Sequence, residues 1–294
     1  MPSVYASTAC IRGTEPLFDR IERYRRAGIR GIELGAGVRV APGDLDRLRD
    51  GGGPFLIHNY FPPPPIPFFL NLASGSPDVR ERSIAHVKET LRLSAALGAE
   101  LYSVHAGFIT DPSGFGETSF IFPSPGSPEE ERVALMRFVA SLREVLPVAA
   151  ETGVDLLLEN NACSEELRGK LLLQRTEEFQ EFFALFDHPR LKILLDTGHL
   201  NVSAHALGFD RLHFVRILGE RIAAVHLHDN DGRTDQHKPP ASESWVFEAL
   251  ALLPEAAVIT EATFADASDI AEHLRFVEEK CVAAESSRSY TPSV

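Results

Sequence analysis

Eight short runs rich in β-branched and aliphatic residues, at positions 4–10, 31–34, 55–59, 101–105, 154–160, 191–196, 222–228 and 258–263, alternate with longer segments of helical period. No other feature limits the fold of this 294-residue chain so tightly. Ile21 and Tyr24 precede Gly28, and Ile84, Val87, Leu91 and Ala95 precede Gly98, so apolar residues recur at helical spacing and stop at a glycine. Val133, Met136, Val139 and Leu142 repeat the pattern, as do Phe179, Phe182, Phe183 and Phe186. The β-rich runs are almost continuously apolar, as parallel strands covered on both faces are. Eight strand–helix units therefore predict an α/β fold, a (β/α)8 TIM barrel forming a single domain over residues 1–284. A doubly wound open sheet is the alternative, but neither G-x-G-x-x-G nor G-x-x-x-x-G-K-[ST] follows any run. The small polar residues of 285–294 predict a disordered tail.

Charge and cysteine content narrow the function classes. A formal net charge of −13 and only five lysines make nucleic acid an unexpected partner, since affinity for polyanions rests on clustered Lys and Arg. Cys10, Cys163 and Cys281 are widely spaced and odd in number, which predicts a reduced, cytoplasmic setting without a disulfide framework. The first thirteen residues lack a basic start and an apolar run, and no apolar stretch approaches membrane-spanning length. Oligomerisation is left open.

Two long loops follow the third and fourth β-rich runs. The first, FPPPPIPFFLNLASGS at 61–76, contains an extended proline run whose flanking Ile66, Phe68 and Phe69 suggest a flap lying over something, or else a rigid connector. The second, at 108–128, is rich in Gly, Pro and Phe. Both leave the strand ends where a barrel places its chemistry.

Six consecutive runs end in an imidazole or a carboxylate. His58 closes the third and His105 the fourth; Glu159 closes the fifth, and Asp196 the sixth with His199 three residues on. The seventh ends in His226 and His228, which share a strand face, and Asp235 and His237 follow on its loop; Glu261 closes the eighth. One such histidine is ordinarily a hydrogen-bonded core residue. Glu159, however, follows Leu156, Leu157 and Leu158, and a carboxylate buried there needs a cationic partner. No Lys or Arg stands at a neighbouring strand end, which leaves a divalent metal as the economical partner: zinc, manganese or magnesium, one to three ions.

From about Gly31 to Phe264 the chain resembles the superfamily of xylose isomerase-like TIM barrels, which includes endonuclease IV and sugar or sugar-phosphate isomerases and epimerases. The likeness is carried by LIHNYF with FFLNLAS, LYSVHAGF, LLLEN, LLDTGH, AVHLHDNDG, TDQH and ITEAT. Resemblance to the endonuclease IV branch implies three metal positions: His58, His105 and Glu159; Glu159, Asp196, His226 and Glu261; and His199, Asp235 and His237. Resemblance to the epimerase branch implies one essential ion, at the second position, with Glu159 and Glu261 also moving the proton. It further implies substrate contacts from His199, His228 and Arg233. Either His226 or His228 could be the central ligand. The proline insertion after His58, and HAG where endonuclease IV-like proteins have HPG, depart from that branch.

The first expectation is a divalent-metal-dependent isomerase or epimerase acting on a sugar or sugar phosphate, with Glu159 and Glu261 as base and acid. The alternative is a multinuclear-metal phosphoester hydrolase of the endonuclease IV type, which would use the extra ligands His58, His105, Asp235 and His237. A metal-stabilised binding protein without turnover would account for the ligands but not for two central glutamates.

Overall fold

The computed structural model describes residues 3–116, 120–123 and 125–289. Eight parallel strands close a barrel: β1 Val4–Ser7, β2 Ile32–Leu34, β3 Phe55–His58, β4 Leu101–His105, β5 Asp155–Glu159, β6 Leu191–Asp196, β7 Ile222–Leu227 and β8 Ala257–Thr260. Each pairs with its sequence neighbours, and β1 pairs with β8. The helices are α1 Leu17–Arg26, α2 Asp44–Asp50, α3 Pro77–Ala96, α4 Pro128–Thr152, α5 Thr176–Leu185, α6 Thr197–Leu207, α7 Arg211–Leu218, α8 Trp245–Ala251 and α9 Ala267–Ser289. The closed sheet removes the open-sheet alternative. The segment expected to be a disordered tail begins inside α9, and its residues 290–294 lie outside the described residues.

Local chemistry sets several element ends. Thr8–Cys10, expected to continue β1, turns into a 3-10 helix whose first free N–H, from Ala9, donates to the Ser7 hydroxyl. Ser127 and Glu130 form a reciprocal capping box at the start of α4, and Gly153 ends it at φ 74°. Of the expected α4 stripe, Val139 and Leu142 are buried, Val133 is half-buried and Met136 is 45% exposed; the buried face runs through Ala134, Phe138, Leu142 and Val145. Four-residue spacing follows the helix surface that meets the barrel more closely than the three-residue steps through Val133 and Met136.

Strand alternation builds the site. Leu56, Leu157, Leu194, Ala224 and Ile259 pack together as an apolar plug inside the barrel. Two residues further along the same strands, on the same face, stand His58, Glu159, Asp196, His226 and Glu261. Register then aligns the neighbours: His58 lies beside Ser103, His105 beside Glu159, and Asp196 beside His226. A ring of polar side chains thus sits directly on a hydrophobic floor.

The long loops are anchored rather than loose. The proline run lies along α2 and α3, where Pro62, Ile66, Phe68, Arg82 and His86 border a groove of about 620 Å³. Asn71 ties this loop to the next one: its amide donates to the Phe108 carbonyl and to Asp111, and its oxygen accepts from Ala73 and Phe108. In the second loop a short hairpin, Gly114–Phe115 with Phe120–Ile121, places Phe120 against Phe69 and Phe108.

One carboxylate outside the site is shaped by burial. On α5, Glu178 accepts the Gln174 N–H at 2.7 Å, and burial, aided by Glu131 and opposed by Arg175, pushes its carboxyl up to about 7. Its contribution to stability is therefore present at low pH and lost as pH rises from about 4.5 through about 7. Replacing Glu178 with Gln should raise the melting temperature at pH 8.5 and leave it nearly unchanged at pH 4.5. The gain at high pH should not exceed about 3 kcal/mol, as read by thermal denaturation at both pH values.

Candidate metal centre

Nine imidazoles and carboxylates singled out from the sequence meet at the C-terminal rim of the barrel. Glu159 is 1% exposed, with one oxygen facing each side of the cluster. Its Oε2 lies 3.1 Å from His105 Nδ1 and 3.6 Å from His58 Nε2. Its Oε1 lies 3.4 Å from both His226 Nδ1 and His199 Nδ1. His226 Nδ1 is also 3.3 Å from Glu261 Oε2 and 3.7 Å from Asp196 Oδ2. Asp235 Oδ2 is 3.3 Å from His199 Nε2 and 3.0 Å from His237 Nε2. Two of the groups whose ligand atoms converge, His58, His105 and Glu159, and Glu159, Asp196 and His226, fall within the sets that the resemblance implies; two others, Asp196, His199 and His228, and His228, His237 and Glu261, draw in His228 instead of Asp235.

Hydrogen bonds fix what each imidazole presents. A neutral imidazole has one N–H and one lone pair, and whichever nitrogen donates leaves the other free as a ligand. His199 Nδ1 donates to the Asn160 carbonyl at 3.0 Å, and His237 Nδ1 to the Glu261 carbonyl at 3.0 Å. Their Nε2 atoms are left facing Asp235. His58 Nδ1 pairs with the Ser103 hydroxyl at 2.9 Å, turning Nε2 toward Glu159. Glu33 Oε2, Glu159 Oε2, His105 Nδ1, His226 Nδ1 and His228 Nδ1 are buried without a hydrogen-bond partner. Orphaned ligand atoms converging in this way suit a cation between them.

His226 and His228 separate clearly. His226 faces Glu159, Asp196 and Glu261, whereas His228 is fully buried, donates from Nε2 to Asp196 Oδ2 at 3.0 Å, and stacks on the His237 ring at 4.1 Å. Both rings approach Asp196 Oδ2, and His228 Nδ1, without a hydrogen-bond partner, lies 3.7 Å from Asp235 Oδ1, so His228 joins the groups formed with Asp196 and His199 and with His237 and Glu261. Arg233 is exposed on its loop, where its backbone N–H donates to Asp231; among the described residues its guanidinium pairs with none of the cluster's carboxylates. His199 borders the mouth through Asp235.

Local structure holds the ligands in place. Asp196 caps α6, its Oδ1 accepting the His199 N–H at 2.7 Å. Asn160 brackets it, accepting the Asp196 N–H and donating to its carbonyl. Asp229 and Lys238 exchange backbone hydrogen bonds at 2.8 and 2.9 Å, closing the loop that carries Asp235 and His237. His237 adopts φ 48°, a left-handed conformation that is uncommon outside glycine.

Sequence reasoning missed one carboxylate. Glu33, in the middle of β2, is 1% exposed and lies 2.9 Å from His226 Nε2. The signal was present, since an acidic residue interrupts the apolar run Gly31–Leu34, but Glu33 is not at a strand end where ligands were sought.

Electrostatics are dominated by five carboxylates. Burial works against the charge on Glu159, yet His105, His58, His226 and His199 hold its carboxyl well below the usual range. Burial likewise opposes charge on His226, but Glu33, Glu261 and Glu159 hold its imidazole well above its ordinary value. His199 behaves in the same way beside Asp196 and Asp235. For His237, burial is overcome by Asp235 and Glu261, which bring it up to about 9. Burial outweighs Glu159 at His105 and pushes that imidazole down. Among the described residues no Lys or Arg pairs with Glu33, Glu159, Asp196, Asp235 or Glu261, so the basin calls for positive charge that the chain's own cations do not supply.

Residues 21–279 match the family model described as the xylose isomerase-like TIM barrel, and the chain belongs to that family. It is 26% identical over 205 residues to a probable endonuclease 4 of Aquifex aeolicus, covering 66% of this chain and 63% of that protein. The matches span 63%, 55% and 52% of the length of three curated relatives bearing that name. Among solved structures, a D-tagatose 3-epimerase-like protein superposes with a TM-score of 0.74 at 21% identity, covering 98% of this chain and 99% of that one. An L-ribulose 3-epimerase superposes at 0.72 with 17% identity, covering 99% and 100%. No helix among the described residues is long and apolar enough to cross a membrane.

Gly198 is the tightest steric point of the centre. A Cβ there would lie 2.0 Å from His228 Cε1, and that ring is buried and bonded to Asp196. Gly198→Ala should cost about 3 kcal/mol and lower the melting temperature, whereas Gly219→Ala, with its nearest neighbour at 3.5 Å, should not. Thermal denaturation of the two variants checks the contrast.

Proposed function

We propose that the protein is a metal-dependent enzyme whose multinuclear centre hydrolyses phosphoesters. The observation that carries this reading is the commitment of both Glu159 oxygens, one to the His58 and His105 side and the other to the His226 and His199 side. A carboxylate so engaged and 1% exposed would suit sharing between two cation positions better than service as a free base for carbon acids. The donor set of imidazole and carboxylate suits zinc or manganese. His58, His105 and Glu159 would hold one ion, Glu159, Asp196, His226 and Glu261 a second, and His199, Asp235 and His237 a third. When bound, such ions supply Lewis acidity toward phosphoryl oxygens and toward water.

The chain's own residues divide the remaining work. His105, Asp235 and His237, at 30%, 27% and 32% side-chain exposure, line the open mouth where a substrate arrives. Glu261, beside His226 and open at 11%, would meet the reacting centre from the second set. The leucine plug below seals the floor against water. The formal charge of −13 directs the reading toward small phosphoesters in preference to a tracked duplex. The endonuclease 4 relatives support the reaction class.

A second reading, sugar epimerisation, is supported by Glu159 and Glu261 standing 3.4 and 3.3 Å from the same imidazole nitrogen. The epimerase names among the structural neighbours also point there.

Metal analysis and three substrate assays on one preparation separate the readings. Hydrolysis predicts about three ions per chain and nitrophenol release from bis-p-nitrophenyl phosphate, with no deuterium uptake by ketohexoses in D2O. One tight ion with deuterium uptake and no ester cleavage would overturn it in favour of epimerisation. Cleavage confined to an abasic-site duplex would reject the small-substrate assignment. Glu159→Gln should lower hydrolysis by about two to three orders of magnitude, and His237→Ala by about ten- to a hundredfold. Chelation should lower the melting temperature, and restoring Zn2+ at a hundred times its Kd should return about 2.7 kcal/mol of stability.

A further inference from the structure

Glu33 stands in a place where a carboxylate is costly. Its strand neighbours in register are Ser7 and Leu56, and Leu56 belongs to the apolar plug; Glu33 therefore rises from the level of the floor, one layer beneath the ligand ring. It is 1% exposed, and among the described residues its Oε2 has no hydrogen-bond partner and it makes one ionic contact, with His226, at 2.9 Å from Oε1 to Nε2. A buried carboxylate with one partner is destabilising by several kcal/mol relative to an apolar side chain of its size. Packing does not require it.

What it does require is visible in the His226 ring. An ionised carboxylate only accepts, so the bond to Glu33 keeps a proton on Nε2 and makes Nδ1 the nitrogen that must give up its proton when the ring offers a lone pair to the basin. Nδ1 then faces Glu159, Glu261 and Asp196 at 3.4, 3.3 and 3.7 Å, beyond ordinary hydrogen-bond contact and with no partner of its own. The ring is locked from both sides, since His58 packs edge-on against it at 4.9 Å. With the proton on Nδ1 instead, an N–H would point into the basin where three carboxylate oxygens await a cation, and the ligand position would be lost.

We infer that Glu33 is the positioning residue of this centre, fixing the tautomer and orientation of His226 so that Nδ1 becomes the central metal ligand and gains basicity from the carboxylate behind it. The inference rests on the metal reading above for its consequence, but not for the tautomer, which is a property of the chain without metal. Glu33 acts through His226 and touches no substrate. His58 and His226 also offer ligand atoms near Glu33, so direct coordination by Glu33 is the competing role.

The test uses the full chain, stripped of metal and then titrated with Zn2+. Long-range 1H–15N correlation of the histidine rings should show the His226 Nε2–H tautomer in the stripped wild type once the pH is raised far enough for the ring to lose its second proton, from Nδ1. In Glu33→Met that tautomer should be lost and Zn2+ affinity at the tightest site should fall about ten- to a hundredfold, with the stripped variant melting no lower than wild type. Glu33→Gln keeps an acceptor oxygen without the charge and should restore the tautomer and part of the affinity. An unchanged tautomer and affinity in Glu33→Met would overturn the inference. So would a Gln variant with the native tautomer but no recovery of affinity, which would make Glu33 a direct ligand. Wild type that shows the tautomer yet binds no Zn2+ would sink the metal reading while leaving the positioning of His226 standing.

Discussion

Five carboxylates gathered at one end of a closed barrel, paired among the described residues with no lysine or arginine, are the constraint to which the rest of this structure answers. Glu33, Glu159, Asp196, Asp235 and Glu261 surround six imidazoles. In a water-poor interior like charges repel strongly, and such a cluster persists only where positive charge balances it. In the chain alone protons on His199, His226 and His237 serve that end. A divalent ion balances the same charge while using the lone pairs those protons occupy, and this competition between protons and metal is inherent in any imidazole and carboxylate site.

The supports around the ligands are of one kind. Nearly every imidazole spends one nitrogen on the scaffold: His58 on Ser103, His199 on Asn160, His237 on the Glu261 carbonyl, His226 on Glu33 and His228 on Asp196. Side-chain entropy at the site is thereby removed during folding, before any ligand arrives. The Asp229 and Lys238 backbone pair does the same for the loop bearing Asp235 and His237. Rigid strands carry the buried ligands and a clamped loop carries the exposed ones, so the mouth is the part left accessible to substrate.

The family holds both proton-transfer and phosphoester chemistry on one barrel, and the fold is neutral between them. The difference lies in how many cation positions the rim sustains. On the reading proposed above, a single ion would use the basin around Glu159, Asp196, His226 and Glu261, and the companion sets on either side would have a chemical use if more than one ion were held. Glu159 connects the sets because its two oxygens diverge, and strand register aligns His105 beside it.

Much of this was legible in the linear chain because the governing periodicities are local. Alternating apolar runs and helical stripes specified eight strand and helix units, and residue types at the strand ends announced the ligands. Local reading failed where contacts were distant. Met136 faces solvent because the barrel surface, not the spacing within α4, selects the buried face. His226 and His228 were equivalent in an extended strand, and only the closed barrel set His226 among Glu33, Glu159 and Glu261 and His228 between Asp196 and His237. Glu33 and His226 are 193 residues apart, and their meeting exists only once the barrel closes. The sequence by itself determined which side chains line the rim, since a two-residue period leaves little choice of face. Tertiary structure decided which nitrogen of each ring is free, because that depends on a hydrogen-bond acceptor brought in from another strand.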